Sequence, residues 1–581
     1  MFVALALSGC SGPAERTWLD APGWSRGRLV GNTQAVDAAS MALDEAGNIY
    51  LLVFSGDEDI GYPRVVALNR QAAVVWDRTY EVALERPGRS RILWDGHALQ
   101  LFWLSRQGIY QAQVEAATGE LLGPPILLSG GVQVRYYDVA QDAGGATTVW
   151  YAGPQEAAGV YALFPDSLPG EATLVDPTGT RPEVQYDQAG TLHAVWIHYP
   201  PDKSPQFFYA AYQEGRYSLR SPGREALVLA PQVGNATLIG PRLGLDRERV
   251  YLLWTVLPIL GASAGAAETS YVTFPLGQPA AAFLRSPTGQ LRVPYGYHLS
   301  YQPLSGSGLQ AGPRVPLASP LGDSTPYIIE LAVNPAVAPE LVVAFQTQLE
   351  YLMRKEQAQI SAVFFQDGAP IAYQLLSFTP TVSRYPAILS DQAGQLYLTW
   401  LESGAPSGYS VYFASTAPDI RQALSGLTAD DAGRLAAETI FGLLGGVVLA
   451  PWLLAWVMVP LVILGVTAPI RREDDSLTSP GVVVSLALAL AAYWAGKLLL
   501  MPGLPSYVPF SAWLPMIPPG LNLPLQVGVP LLIAGLGLVV AWRYTYYGSE
   551  RPSTLFFLLI YAALDGALTM AIYSPVFYAS F

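Results

Sequence analysis

The chain has 581 residues, only 13% of them charged, and a formal net charge of −13. From Arg434 onward six basic residues balance six acidic ones, so the whole negative excess lies on the N-terminal part. An acidic domain repels phosphate backbones, which excludes nucleic acid as a partner, and the single cysteine, Cys10, excludes an intrachain disulfide and a cysteine metal site.

In chain order, the first predicted element is short. Residues 2–7 form an apolar run leading into Leu7-Ser8-Gly9-Cys10. That is the form of a bacterial lipobox, in which the cysteine is diacylated and becomes the new N-terminus. Residues 1–10 are therefore expected to be a signal and lipidation segment, though the run has no basic start and is short for a signal core.

From residue 11 to 418 one pattern recurs. Asp187-Gln188-Ala189-Gly190 continuing to Trp196 matches Asp391-Gln392-Ala393-Gly394 continuing to Trp400. Arg242-Leu243-Gly244-Leu245-Asp246 runs on to Trp254, and weaker copies centre on Asp44, Asp95, Asp142 and Asn334. In each an apolar strand enters a turn where the Asp side chain bonds nearby backbone and Gly supplies φ > 0. A second strand then leaves, ending in an aromatic residue. The copies begin 45–59 residues apart, with one gap of 88, close to the repeat of about 40–50 residues of four-stranded propeller blades. The expectation is an all-β propeller of seven blades. Residues 275–323, in the long gap, are either an insertion or a degenerate eighth blade. The last copy supplies only three strands, so residues 23–30 are a candidate fourth that closes the ring.

The copies around Asp187 and Asp391 resemble the Asp-box turns of sialidase-like β-propellers, common in bacterial surface proteins. The resemblance implies the propeller fold. For an active sialidase it would imply an arginine triad gripping a carboxylate, a Tyr/Glu nucleophile pair and an aspartic acid, and no such set can be placed from the residues. Arg135, Arg181, Arg242 and Arg384 stand at blade starts and read as solvent-facing or inter-blade side chains. His193 and His198 lie on opposite faces of one strand, without zinc spacing. Asp57-Glu58-Asp59 reads as a polar hairpin tip, and no metal or other cofactor is implied.

After a linker at 419–438, four apolar segments follow at 439–468, 482–501, 525–542 and 555–573. Each is near or above the ~20 residues that cross a bilayer, so residues 439–581 form a transmembrane helical bundle. Pro451 and Pro460 bend the first span, where Gly442 and Gly446 give a small-residue face. Arg471 and Arg472 in the first loop, and Arg543 and Arg551 at the third, place those loops in the cytoplasm by the positive-inside rule. The N-terminal domain and the C-terminus then lie outside. Lys497 and Asp565 are intramembrane charges at similar depth, either paired or, for Lys497, snorkelling to the interface.

The expected function is that of a propeller held at the lipid bilayer that binds or scaffolds a protein or glycan partner. The alternatives are a sialidase-like glycoside hydrolase and an accessory subunit beside other members of a membrane transport or assembly complex. An Arg/Glu/Tyr cluster at the central mouth would favour the hydrolase.

Overall fold

The computed structural model describes residues 21–579 apart from short stretches, the longest being 213–225, 277–288, 295–314 and 441–452. Cys10, the hairpin tip at 57–59, and Gly442 and Gly446 lie outside the described residues.

Seven antiparallel sheets follow one another around a ring, one per copy of the repeat. The innermost strands are, in order, Ser40–Leu43, Gly88–Trp94, Tyr136–Gln141, Gly179–Tyr186, Ala236–Leu245, Ile328–Val333 and Ser383–Ser390. The Asp turn (Asn334 in the sixth blade) joins each to a second, nearly continuous apolar strand buried on both faces, such as Leu192–His198 and Leu396–Ala405. These middle strands carry the repeat aromatic between blades. Trp103, Trp150, Trp196 and Trp400 are fully buried, and the Trp150 and Trp196 rings lie 5.9 Å apart across a blade boundary.

Among the described residues there are seven blades. Within the long gap, Gly289–Leu291 is the outer strand of the fifth blade, and Val315–Pro316 adds a fifth strand to the edge of the sixth. The seventh blade is composite. Its fourth strand is Arg28–Thr33, paired antiparallel to Gly408–Ser415. The closing strand thus lies a few residues beyond 23–30, because Trp24 is instead drawn into the buried cluster between the last two blades, where its indole N–H donates to Gln374 at 3.2 Å.

Helix α1 (Pro418–Leu424) ends the propeller, burying Ile420 and Leu424 against Met41, Ile49, Leu68 and Tyr397. Four helices follow: α2 (Leu453–Thr467), α3 (Pro480–Leu500), α4 (Asn522–Tyr546) and α5 (Thr554–Ala579). The last three are long and apolar enough to cross a membrane, and the described part of α2 is shorter. Their outward side chains are apolar, with Leu499 80% and Leu532 73% exposed, a surface suited to lipid and not to water.

Candidate functional site

The turn residues are occupied by structure. Asp187 Oδ1 accepts the amides of Ala189 and Thr191 at 2.9 and 2.8 Å, while Oδ2 lies 3.1 Å from His193 Nε2. The same division recurs. Asp44 Oδ1 takes the Asn48 amide and Oδ2 the Tyr50 hydroxyl; Asp391 does likewise with Gln395 and Tyr397. Asp95 takes the Ala98 amide and Gln100, and Asp246 the Arg249 amide and Tyr251. Asp142 holds the amides of Gly144 and Ala146, and Asn334 that of Val342. The glycines of the four Asp-x-x-Gly turns sit at φ between +77° and +85°, a conformation that disfavours a side chain. Burial works to raise the Asp187 carboxyl, but His193 and the turn amides outweigh it and hold it below the usual carboxylate range. These carboxylates lock turns.

The chemistry gathers at the opposite end of the strands. Five inner strands begin with a register shift: Gly88/Arg91, Thr180/Glu183, Ile239/Arg242, Ile329/Ala332 and Arg384/Ala387. The bulged residues Arg89, Arg181, Glu330 and Tyr385 all have positive φ, near +50°. A bulge re-aims a side chain out of the sheet, here at the innermost edge and therefore towards the ring axis. Three guanidinium groups from three consecutive blades surround one ring: those of Arg89, Arg181 and Arg135 lie 4.4, 5.1 and 5.3 Å from the centroid of Tyr136. Asp37, on the crossing into the first blade, interacts electrostatically with Arg89 and with Tyr385 of the seventh. The groups therefore converge from around the ring on one mouth.

Beneath them runs a layer of ion pairs between adjacent blades. Arg91 Nε lies 3.2 Å from Asp138 Oδ1, and Arg242 bonds Glu183. Asp138 also accepts the Val184 amide and Glu183 the Leu243 amide. Burial pushes the carboxyls of Glu183 and Glu330 up, with Arg242 and the Tyr385 amide respectively opposing it, and burial holds Arg89 below its usual range. Arg89 and Arg181 form no carboxylate ion pair among the described residues, so the mouth is locally cationic on an acidic domain.

This corrects the expectation for the arginines in part. Arg242 and Arg181 are inter-blade groups, bonding Glu183 and the Leu238 carbonyl of adjacent blades, but Arg135 and Arg181 also gather over Tyr136 at the mouth, while Arg384 stands over the Tyr385 ring at 5.2 Å. The sequence reading missed Arg89, Tyr136, Asp138 and Glu183. A usable signal existed: four residues before the turn Asp of consecutive copies stand Arg91, Asp138, Glu183 and Arg242, and six before it Arg89, Tyr136 and Arg181. The histidines do not join the mouth cluster. His193 sits between Asp187 and Tyr209, and His198 Nδ1 lies 2.8 Å from Asp176. Among the described residues no cluster of His, Cys, Asp and Glu could hold a metal.

In the bundle, Lys497 Nζ lies 2.7 Å from Asp565 Oδ2 and 2.7 Å from Thr569 Oγ1. Tyr493 donates to the same carboxylate at 2.8 Å, and the Trp494 ring stands under the ammonium at 4.5 Å. Lys497 and Asp565 are 1% and 0% exposed, too deep for a snorkelling lysine. A side chain at Gly537 of α4 would meet the Tyr561 ring at 3.1 Å, so glycine lets α4 close over the pair.

The fold and these sites define the class: a multi-pass membrane protein with a large extracytoplasmic seven-bladed β-propeller. No family model and no curated protein matches the chain. Among solved structures it is similar to the polysaccharide lyase Uly1, at 9% identity and TM-score 0.41, over 66% of this chain and 90% of that one. It is also similar to a subtype N10 neuraminidase-like protein of A/little yellow-shouldered bat/Guatemala, at 7% identity and TM-score 0.30, over 68% and 97%. A third is BBS1N in complex with ARL6DN, at 10% and 0.34, over 70% and 98%. Likenesses this distant say nothing of activity.

Proposed function

We propose that the chain is a membrane-anchored recognition module whose propeller binds an acidic glycan or protein partner at the axial mouth. The observation that carries this is the set of Arg89, Arg135 and Arg181 around Tyr136. Guanidinium groups suit carboxylate and sulfate, which they meet with paired hydrogen bonds, and an aromatic ring gives a sugar or side chain a flat surface. Lipid on Cys10 and the helix bundle would hold the module at the bilayer, with the C-terminus outside, the side that the loop arginines favour. The test uses the full chain in detergent with polygalacturonate as an acidic probe and dextran as a neutral one. Binding of polygalacturonate alone, weakened at least tenfold in Arg89→Gln/Arg181→Gln and falling with salt, is expected. Equal binding of both probes, or no loss in the double variant, refutes the reading.

The second reading is a sialidase-like glycoside hydrolase. The Arg/Glu/Tyr cluster that would favour it stands at the mouth, with Glu183 and Glu330 raised towards the protonated form a general acid needs. Against it, Asp138 and Glu183 are both already bonded to an arginine and a backbone amide. Turnover of an aryl glycoside that is lost in Glu183→Gln would favour hydrolysis over binding.

A further inference from the structure

We infer that the propeller stands with its Asp-turn face towards the bilayer and its arginine-lined mouth facing away, so that the mouth takes an acidic glycan presented from outside this membrane. The partner chemistry rests on the proposed function; the orientation does not.

The argument is topological. Inner strands run from the mouth to the Asp turns, second strands return, and third strands run to the turn face again. The last third strand, Gly408–Ser415, therefore ends at the turn face, where the Thr416 amide bonds Leu396 O just past the Asp391 turn, at 2.9 Å. Helix α1 continues from there and packs across that end of the first and last blades, touching Leu68 and Ala72 at a third-strand turn. The chain enters at the same place. The Ser25 amide donates to Ser415 O at 2.7 Å, and the Ser415 amide to Ser25 Oγ at 3.0 Å. Arg26 then reaches the carbonyl of Gly426 at 3.3 Å, binding the entering chain to the departing one.

Both connections thus leave one face, and the membrane spans follow the second. With strands of six to ten residues the disc is roughly 20–30 Å thick. Turning the mouth to the bilayer would route the departing chain round the rim, past the Arg26 tie. Presenting the turn face needs no detour. The mouth face also carries the second-to-third-strand loops, such as that holding Gln107, and these would be the outermost points of the molecule.

The test uses the full chain in phosphatidylcholine vesicles containing a lipid with a nitroxide on its headgroup. In a Cys10→Ser background, a fluorophore is placed at Ala189→Cys on a turn or at Gln107→Cys on a mouth-side loop. Quenching at position 189 and little at 107 is expected. Equal quenching, or the reverse, overturns the orientation. In parallel, beads coated with polygalacturonate, too large to pass beneath the propeller, are expected to capture intact proteoliposomes. Capture only after detergent solubilisation overturns the outward mouth while leaving the binding chemistry standing. Loss of capture in both conditions, with position 189 still quenched, rejects the acidic partner and keeps the orientation.

Discussion

Glu402 is the residue whose environment has the clearest thermodynamic consequence. It is 6% exposed at the end of a middle strand, accepting Trp400 Nε1 and Thr381 Oγ1, each at 2.9 Å. Burial pushes its carboxyl up, and the hydrogen bonds only partly offset it. A carboxyl raised in the folded state binds its proton more readily folded than unfolded. Its contribution to stability is therefore full below the ordinary glutamate value of about 4.3 and is lost as pH rises through the folded one. A glutamine can accept from Trp400 and donate to Thr381 without a charge. Glu402→Gln is expected to melt above the native chain at pH 7, with the difference closing as pH falls towards 5. Tryptophan-monitored unfolding of the full chain in detergent reads this, and a gap independent of pH would mean that folding leaves the Glu402 carboxyl unshifted.

At the scale of elements, the closing strand bears most on stability. Arg28–Thr33 pairs along its length with the last third strand, and Val30 packs into the cluster shared by the first and last blades. Removing residues 28–33 forfeits about five ladder bonds at roughly 1 kcal/mol each and opens a sheet edge. Set against a typical total of about 5–15 kcal/mol, the expected result is a propeller that melts far lower or not cooperatively. An unchanged melt would show that the ring closes without this strand. The blades themselves were legible because Asp-x-x-Gly followed by an aromatic is a local pattern, repeated often enough to outweigh any single copy. The spans were legible because apolar length alone specifies them. The closing strand lies a few residues beyond 23–30, because the indole of Trp24 is held by Gln374, a partner distant in sequence. The mouth was legible only by comparing copies, four and six residues before the turn Asp. Its arginines and carboxylates are ordinary within any one blade, and it is the stacking of consecutive blades that makes Arg89, Tyr136 and Arg181 neighbours.

For the whole molecule, the bundle has a polar centre built from two spans. Lys497 of α3 and Asp565 of α5 are fully enclosed, so neither can meet a second subunit or the lipid. Removing either leaves the other charged group in a poor solvent. Lys497→Met and Asp565→Asn are each expected to lower the bundle's resistance to unfolding, and the double variant to be less damaged than the two losses summed. The coupling should be about 1 kcal/mol, the usual size for polar pairs between membrane helices. Strictly additive losses in a detergent-unfolding assay would mean that Tyr493 and Thr569, not the pair, carry the interaction.

The composite last blade also sets a clock on biogenesis. Ser25 waits for Ser415, 390 residues later, before its bond can form. At about 5–20 residues per second of synthesis, the first strand spends roughly 20–80 s without its partner. During that interval the nascent chain exposes a sheet edge at its growing end and an unpaired strand at its start. The ring closes only as the membrane spans begin to emerge, so the propeller's completion and the anchoring of the chain fall within the same few seconds of its making.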